Sequence, residues 1–184
     1  MTIADFAVLP VQAQSSLTAL AAALQGVAPS DVKAWVCNVA DLPATGQIAP
    51  LVSDVDSWAG KSRLCLYYFE CNQAQVDLQA VRRAFADAKA AEENDRAYPR
   101  LNPSSHCLYV GSSQSVSKRL AEHLGYGAAR TYALQLQHWA RPLGLKFSFV
   151  CAKYADSTPY QVVQALEDAL WQSRRPMFGR QGRR

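Results

Sequence analysis

The sequence predicts a small α/β domain, with a sheet of about three strands flanked by helices. Apolar runs of strand length recur at 63–71, 106–110 and 145–154, and such runs, rich in β-branched and aromatic residues, favour strands. Around them lie segments whose apolar residues repeat at helical spacing. Composition agrees: 184 residues, 49% apolar and 18% charged, suit one compact domain and exclude wholesale disorder.

The elements follow in order. Ser15 or Ser16 can cap a helix carrying Leu17, Leu20, Ala21 and Leu24, closed by Gly26. DVKAWVCNV (31–39) alternates as a strand, and 41–60, with Pro43, Gly46, Pro50 and Gly60, reads as loop. RLCLYYFEC (63–71) is a buried strand. VDLQAVRRAFADAKAAEE (76–93) is a helix with Leu78, Val81, Phe85 and Ala88 on its apolar stripe and Arg82, Arg83 and Lys89 outward. Pro99 and Pro103 make 94–105 a loop before the strand HCLYV. Val116, Leu120 and Leu124 then stripe a helix stopped by Gly125. TYALQLQHWA (131–140) is read as another helix. LKFSFVCAKY (145–154) is a strand with Leu145, Phe147, Phe149 and Cys151 on one face. Pro159 opens the last helix, lined by Val162, Val163, Leu166, Ala169 and Leu170. Residues 1–60 read as an acidic N-terminal extension or cap, and 61–184 as the main domain with a helical insertion at 72–105.

Charge is uneven along the chain. Residues 1–60 carry a net −4, 61–105 a net +1 and 106–184 a net +7. A basic half ending in RRPMFGRQGRR suits contact with a polyanion. Five cysteines, none in a CxxC pair, fit neither a disulfide framework nor a clustered zinc site. A reduced, cytoplasmic protein is expected. The start MTIADFAVLP lacks the basic residues of a signal peptide, and no segment is apolar enough to span a membrane.

The chemistry concentrates in CLYVGSSQSVSKRLAEHLG (107–125). A strand ends in Tyr109-Val110-Gly111, a serine-rich turn follows, and the next helix carries Arg119 and His123 four residues apart, on one face. A guanidinium suits phosphate oxygens, and the imidazole and phenol suit proton transfer. Hydrolysing a phosphodiester also needs charge neutralisation and help for the leaving oxygen. Magnesium can be held by one carboxylate plus a substrate phosphate, and Glu167 on the last helix is the favoured ligand. The turn at Ser112 and Ser113 suits a DNA phosphate. Lys118, Arg174, Arg175 and Arg180 are the basic candidates for further backbone contacts. His106 and Cys107 are adjacent on a strand and point to opposite faces, so they form no nucleophilic pair.

Leu66-Tyr67 in the earlier strand, Tyr109-Val110-Gly111, Arg119, His123 and Glu167 in this order, with Pro176 and Phe178 after the glutamate, resemble the motifs of the GIY-YIG nuclease superfamily. The resemblance spans roughly 63–180. It implies a GIY-YIG-like core and a DNA endonuclease using Mg2+ or Mn2+. Tyr67 would then be the general base, and Tyr109 and His123 would position the hydroxyl, the water or the phosphate. Arg119 would bind phosphate and Glu167 the metal. Three departures stand out: Cys65 replaces the first glycine, a helix and a proline loop replace the short turn between the tyrosine strands, and Gly179 replaces the closing asparagine. The last feeds the alternative of a non-catalytic nucleic-acid-binding module with the same fold. RNA is a further possible substrate, and the chain is expected to act as a monomer or homodimer.

Overall fold

The computed structural model describes residues 6–43, 47, 49–62, 64–72, 76–91 and 95–182. It is an α/β structure built on one antiparallel sheet. Four strands form it: β1 (Asp31–Asn38), β2 (Cys65–Cys71), β3 (Cys107–Ser113) and β4 (Lys146–Lys153), in the order β1-β4-β2-β3. The expectation of about three strands is corrected. β1 pairs with β4 along its whole length, from Asp31 opposite Lys153 to Asn38 opposite Lys146, so the acidic leader contributes an edge strand to the same sheet. β3 is the opposite edge, with Tyr67 facing Gly111 and Phe69 facing Tyr109 across the β2–β3 pair.

Among the described residues five α-helices surround the sheet: α1 (Leu9–Leu24), α2 (Pro50–Ala59), α3 (Leu78–Ala91), α4 (Val116–Leu124) and α5 (Tyr160–Arg174). Strand alternation sorts the side chains as expected. Leu145, Phe147, Phe149 and Cys151 are all fully buried on one face, where Phe69 meets Phe149 at 4.9 Å and Phe147 at 5.5 Å between ring centroids. α4 covers this face through Val116, Leu120, His123 and Leu124, and Gly125 ends it with a left-handed φ of 106°. α5 lies on the other face over β3 and β2.

Several local expectations change. α1 begins at Leu9 with Pro10 in its first turn, so Ser16 does not cap it; the Ser16 hydroxyl bonds back to the Gln12 carbonyl inside the helix. None of its residues is buried, and Leu17 is 67% exposed. The 41–60 segment contains α2 rather than loop alone, because Pro50 supplies a first-turn residue and Val55 and Ala59 find buried places. The 131–140 segment is not an α-helix. Ala133, Leu134, Gln135 and Leu136 are all fully buried in succession, a demand no single helix face can meet. Gln135 adopts a left-handed φ of 57°, and the chain makes two 3-10 turns, Leu136–His138 and Arg141–Leu143. On α5, Val162 and Val163 are buried, whereas Leu166 and Leu170 are half-buried and Ala169 is exposed.

The insertion between the tyrosine strands is anchored at its far end. Val81 and Phe85 of α3 are buried, Phe85 stacking 4.1 Å from Phe178. The following loop runs antiparallel to the 177–179 segment: Leu101 bridges Phe178, Asn102 N–H donates to the Met177 carbonyl at 2.8 Å, and Gly179 N–H donates to the Arg100 carbonyl at 2.8 Å. The Asn102 side-chain amide donates to the Pro176 carbonyl at 3.0 Å and the Gly179 carbonyl at 3.1 Å. Both bonds are lost in Asn102→Ala, leaving partly buried carbonyls unmet. Urea unfolding is expected to show a loss of about 1–3 kcal/mol; an unchanged midpoint and slope would contradict the latch.

Candidate active site

Along the β3 edge of the sheet opens a cleft of about 1210 Å³. Residues from both faces reach it. Tyr67, Tyr109 and Gly111 come from the face covered by α4, together with Arg119 of α4 itself; Ser112, Gln164 and Glu167 come from the α5 side. Four of the five side chains expected to carry the chemistry, Tyr67, Tyr109, Arg119 and Glu167, therefore line one cavity although they stand up to a hundred residues apart.

Gly111 explains how two phenols fit there. A Cβ at this position would stand 2.8 Å from the Tyr67 hydroxyl and 3.0 Å from the Tyr109 ring, closer than van der Waals packing allows. Only glycine lets the Tyr67 ring lie across the neighbouring strand. The two tyrosine rings run nearly parallel, with centroids 6.4 Å apart and 16° between planes.

His123 lies underneath rather than in the cleft. It is fully buried, its ring 4.4 Å from that of Tyr109. The Leu134 N–H donates to Nδ1 at 3.1 Å, so the neutral ring carries its proton on Nε2, 3.2 Å from the Tyr67 hydroxyl oxygen. His123 thus donates to Tyr67 and leaves the phenol proton pointing elsewhere. Burial, reinforced by Arg119, holds its pKa well below the usual imidazole value. Of the positions expected of His123, it occupies the one beside the hydroxyl and does not line the cleft.

Arg119 is gripped on both terminal nitrogens. Nη1 meets Glu122 at 2.8 Å; Nη2 donates to the Tyr132 carbonyl at 2.8 Å and the Tyr109 hydroxyl at 3.4 Å. Burial opposes its charge, but Tyr67, Tyr109 and Glu122 outweigh that and keep it protonated. Burial pushes the Tyr67 phenol above the usual tyrosine range; Tyr109 raises it further, Arg119 draws it down, and Glu167 raises it again.

Glu167 accepts the Ser112 hydroxyl at 2.5 Å. Among the described residues no group of three or more His, Cys, Asp or Glu could hold a metal ion, so an all-protein cage is excluded there. A single hard carboxylate facing an open cleft does fit magnesium or manganese, which keep waters and take phosphate oxygens as further ligands.

The residues expected to contact a nucleic-acid backbone divide. Ser112, Ser113 and Arg180 line the cleft. Lys118 and Arg175 are exposed outside it. Arg174 is on the far side of β2, bonded to Glu70 and the Tyr68 hydroxyl at 3.1 Å each and stacked on the Tyr68 ring. Three cleft cations went unselected in the sequence: Lys89, Arg96 and Arg100, all from the insertion. Lys89 does face away from the core, as its helical position predicts, but outward there is the cleft wall. The YPRLNP stretch was the available signal, since prolines flanking an arginine fix a loop beside a strand. With Arg119 and Arg180 these make five cations against Asp95 and Glu167, a field that favours a polyanion.

Gly179 has a φ of 109°, and a Cβ there would press on the Tyr109 ring at 3.1 Å. A side-chain amide is therefore unwelcome at that position, and Asn102 brings one to the same segment from the insertion. Burial, then Glu70, push the Cys107 thiol up to about 12, which suits an inert core residue. No helix among the described residues is long and apolar enough to cross a membrane.

The buried neutral His123 makes stability depend on pH. Its folded pKa lies below the unfolded value near 6.5, so the unfolded chain binds the extra proton; stability is full above that value and falls as pH drops below it. His138 shifts in the same direction. Urea unfolding should show a loss approaching about 1.4 kcal/mol per pH unit below 6.5 from His123, with a shallower slope in His123→Gln. Equal slopes in both proteins would contradict the neutral assignment.

No protein-family model, curated protein or solved structure matches this chain.

Proposed function

We propose that this protein is a metal-dependent DNA endonuclease with a GIY-YIG-like core. The observation that supports this most is the convergence of Tyr67, Tyr109, Arg119 and Glu167 on one cation-rich cleft, with His123 donating to Tyr67 from beneath. In this reading the DNA backbone enters the cleft along β3, and Arg119 faces the scissile phosphate. Glu167 would hold Mg2+ or Mn2+, which would supply charge neutralisation at the phosphate and at the departing oxygen.

Tyr67 acts as the base. Its hydroxyl proton passes to solvent water in the cleft, and the phenolate then takes a proton from the attacking water as that water's oxygen bonds to phosphorus. Attack is in line with the leaving oxygen, which departs with the P–O bonding pair and is protonated from solvent. The His123 Nε2–H and the Arg119 charge stabilise the phenolate. Glu167 opposes it, and a cation held by that carboxylate would supply the charge that offsets this opposition. Tyr109 orients the guanidinium and braces the Tyr67 ring.

One observation favours the binding-module alternative: the Tyr67 phenol is fully buried and its pKa is raised, not lowered. A single experiment separates the two. Supercoiled plasmid and a structured RNA are incubated with the protein in Mg2+ and in EDTA. The nuclease reading predicts nicking of DNA only with metal, nicked circles forming before linear product, and a rate rising about tenfold per pH unit from neutral to mildly alkaline. Tyr67→Phe, Arg119→Ala and Glu167→Gln should each lower that rate by about 100-fold or more. DNA bound but never cut supports the binding module; RNA cut in preference moves the substrate; nicking that survives all three substitutions refutes the site.

A further inference from the structure

The cleft contains a pair of arginines that the chemistry above leaves unused. Arg100 and Arg180 both line it and are both exposed. The antiparallel latch sets them at the same end of two paired stretches: the Arg100 carbonyl accepts the Gly179 N–H, and Arg180 follows immediately. Neither is ion-paired with a carboxylate among the described residues. Arg119 differs, being half-buried and committed to Glu122 and the Tyr132 carbonyl.

The neighbouring wall is also cationic but serves to hold the loop. Lys89 donates to the Pro99 carbonyl at 3.0 Å, and Arg96 to the Gln135 amide oxygen at 2.8 Å. These bonds fix the backbone that leads into Arg100. A cleft of about 1210 Å³ exceeds the usual small-ligand pocket of roughly 300–1,000 Å³ and is better filled by a length of polymer. Two exposed guanidiniums, held in register on a fixed hairpin-like latch, are what a repeating phosphate backbone can use.

We propose that Arg100 and Arg180 form a second phosphate clamp, which grips the DNA backbone beside the linkage facing Arg119 and Glu167. This rests on reading the cleft as a DNA site, and it does not require that the DNA be cut. The insertion between the tyrosine strands thereby becomes part of the substrate grip.

The test is equilibrium binding in EDTA, where no turnover occurs. A short fluorescein-labelled duplex is titrated by anisotropy against wild type, Arg100→Ala, Arg180→Ala, the double variant and Arg83→Ala. Arg83 is an exposed cation on α3 outside the cleft, so its removal changes net charge equally. The slope of log affinity against log salt should become shallower by about 0.9 for each clamp arginine removed. Affinity at about 0.1 M salt should fall roughly 3- to 10-fold per arginine, with Arg83→Ala within about twofold of wild type. Clamp variants that track Arg83→Ala overturn the proposal, as does a wild type that binds no duplex. Plasmid nicking without any clamp effect would leave hydrolysis standing and remove the clamp; a clamp effect without nicking would do the reverse.

Discussion

The Tyr67 ring lies across Gly111 with its hydroxyl against His123 Nε2, and the arrangement of the cleft follows from that contact. The ring can occupy this place only because the facing residue has no side chain. The hydroxyl is fixed because a buried histidine has its other nitrogen taken by the Leu134 N–H. Tyr109 closes on the same glycine, packs on the same imidazole and accepts from Arg119. Three elements, β2, β3 and α4, are thus locked around one glycine. The irregular chain at 131–140 supplies the Leu134 N–H and the Tyr132 carbonyl that complete the lock, which gives that segment a task a regular helix would not perform.

Electrostatics divide the site into a neutral floor and a charged wall. His123 and Tyr67 are fully buried and held uncharged, because charging either one inside the core would forfeit hydration. Arg119, the insertion cations and Arg180 stand above them. A polyanion entering the cleft would neutralise the wall and expel water. Glu167 sits across β3 from the phenols, bonded to Ser112, so its carboxylate is fixed without being buried among the cations. The uneven charge along the sequence has its counterpart here, except that three of the five wall cations come from the nearly neutral middle segment, 61–105.

Legibility of the sequence tracked how local each determinant is. The four strands and α4 were readable because alternation and helical spacing act over a few residues; Val116, Leu120 and Leu124 are buried as their spacing requires. The edge pairing of β1 was not, since it is decided by Trp35 packing on Phe149 and Trp58 far away in the chain. The 131–140 turns escaped because Ala, Leu and Gln favour a helix locally, whereas the burial of four successive residues is imposed by neighbours distant in the chain. The order of Tyr67, Tyr109, Arg119 and Glu167 along the chain was the signal for a shared site, and the four do line one cleft. Lys89, Arg96 and Arg100 were missed because a cation on the outer face of a helix or loop looks solvated until the opposite wall of a cleft is known. Gly179 looked like a lost amide; the crowding of Tyr109 and the amide of Asn102 give it a local reason.

The central claim, that the close approach of Tyr67 over Gly111 positions a reactive group, is tested most directly by adding one methyl. In Gly111→Ala the new Cβ must displace the Tyr67 hydroxyl from which it would stand 2.8 Å. The account predicts a folded protein, destabilised by about 1–3 kcal/mol, that binds duplex DNA nearly as wild type but nicks plasmid at least about tenfold more slowly. Wild-type nicking by a folded Gly111→Ala protein would contradict it.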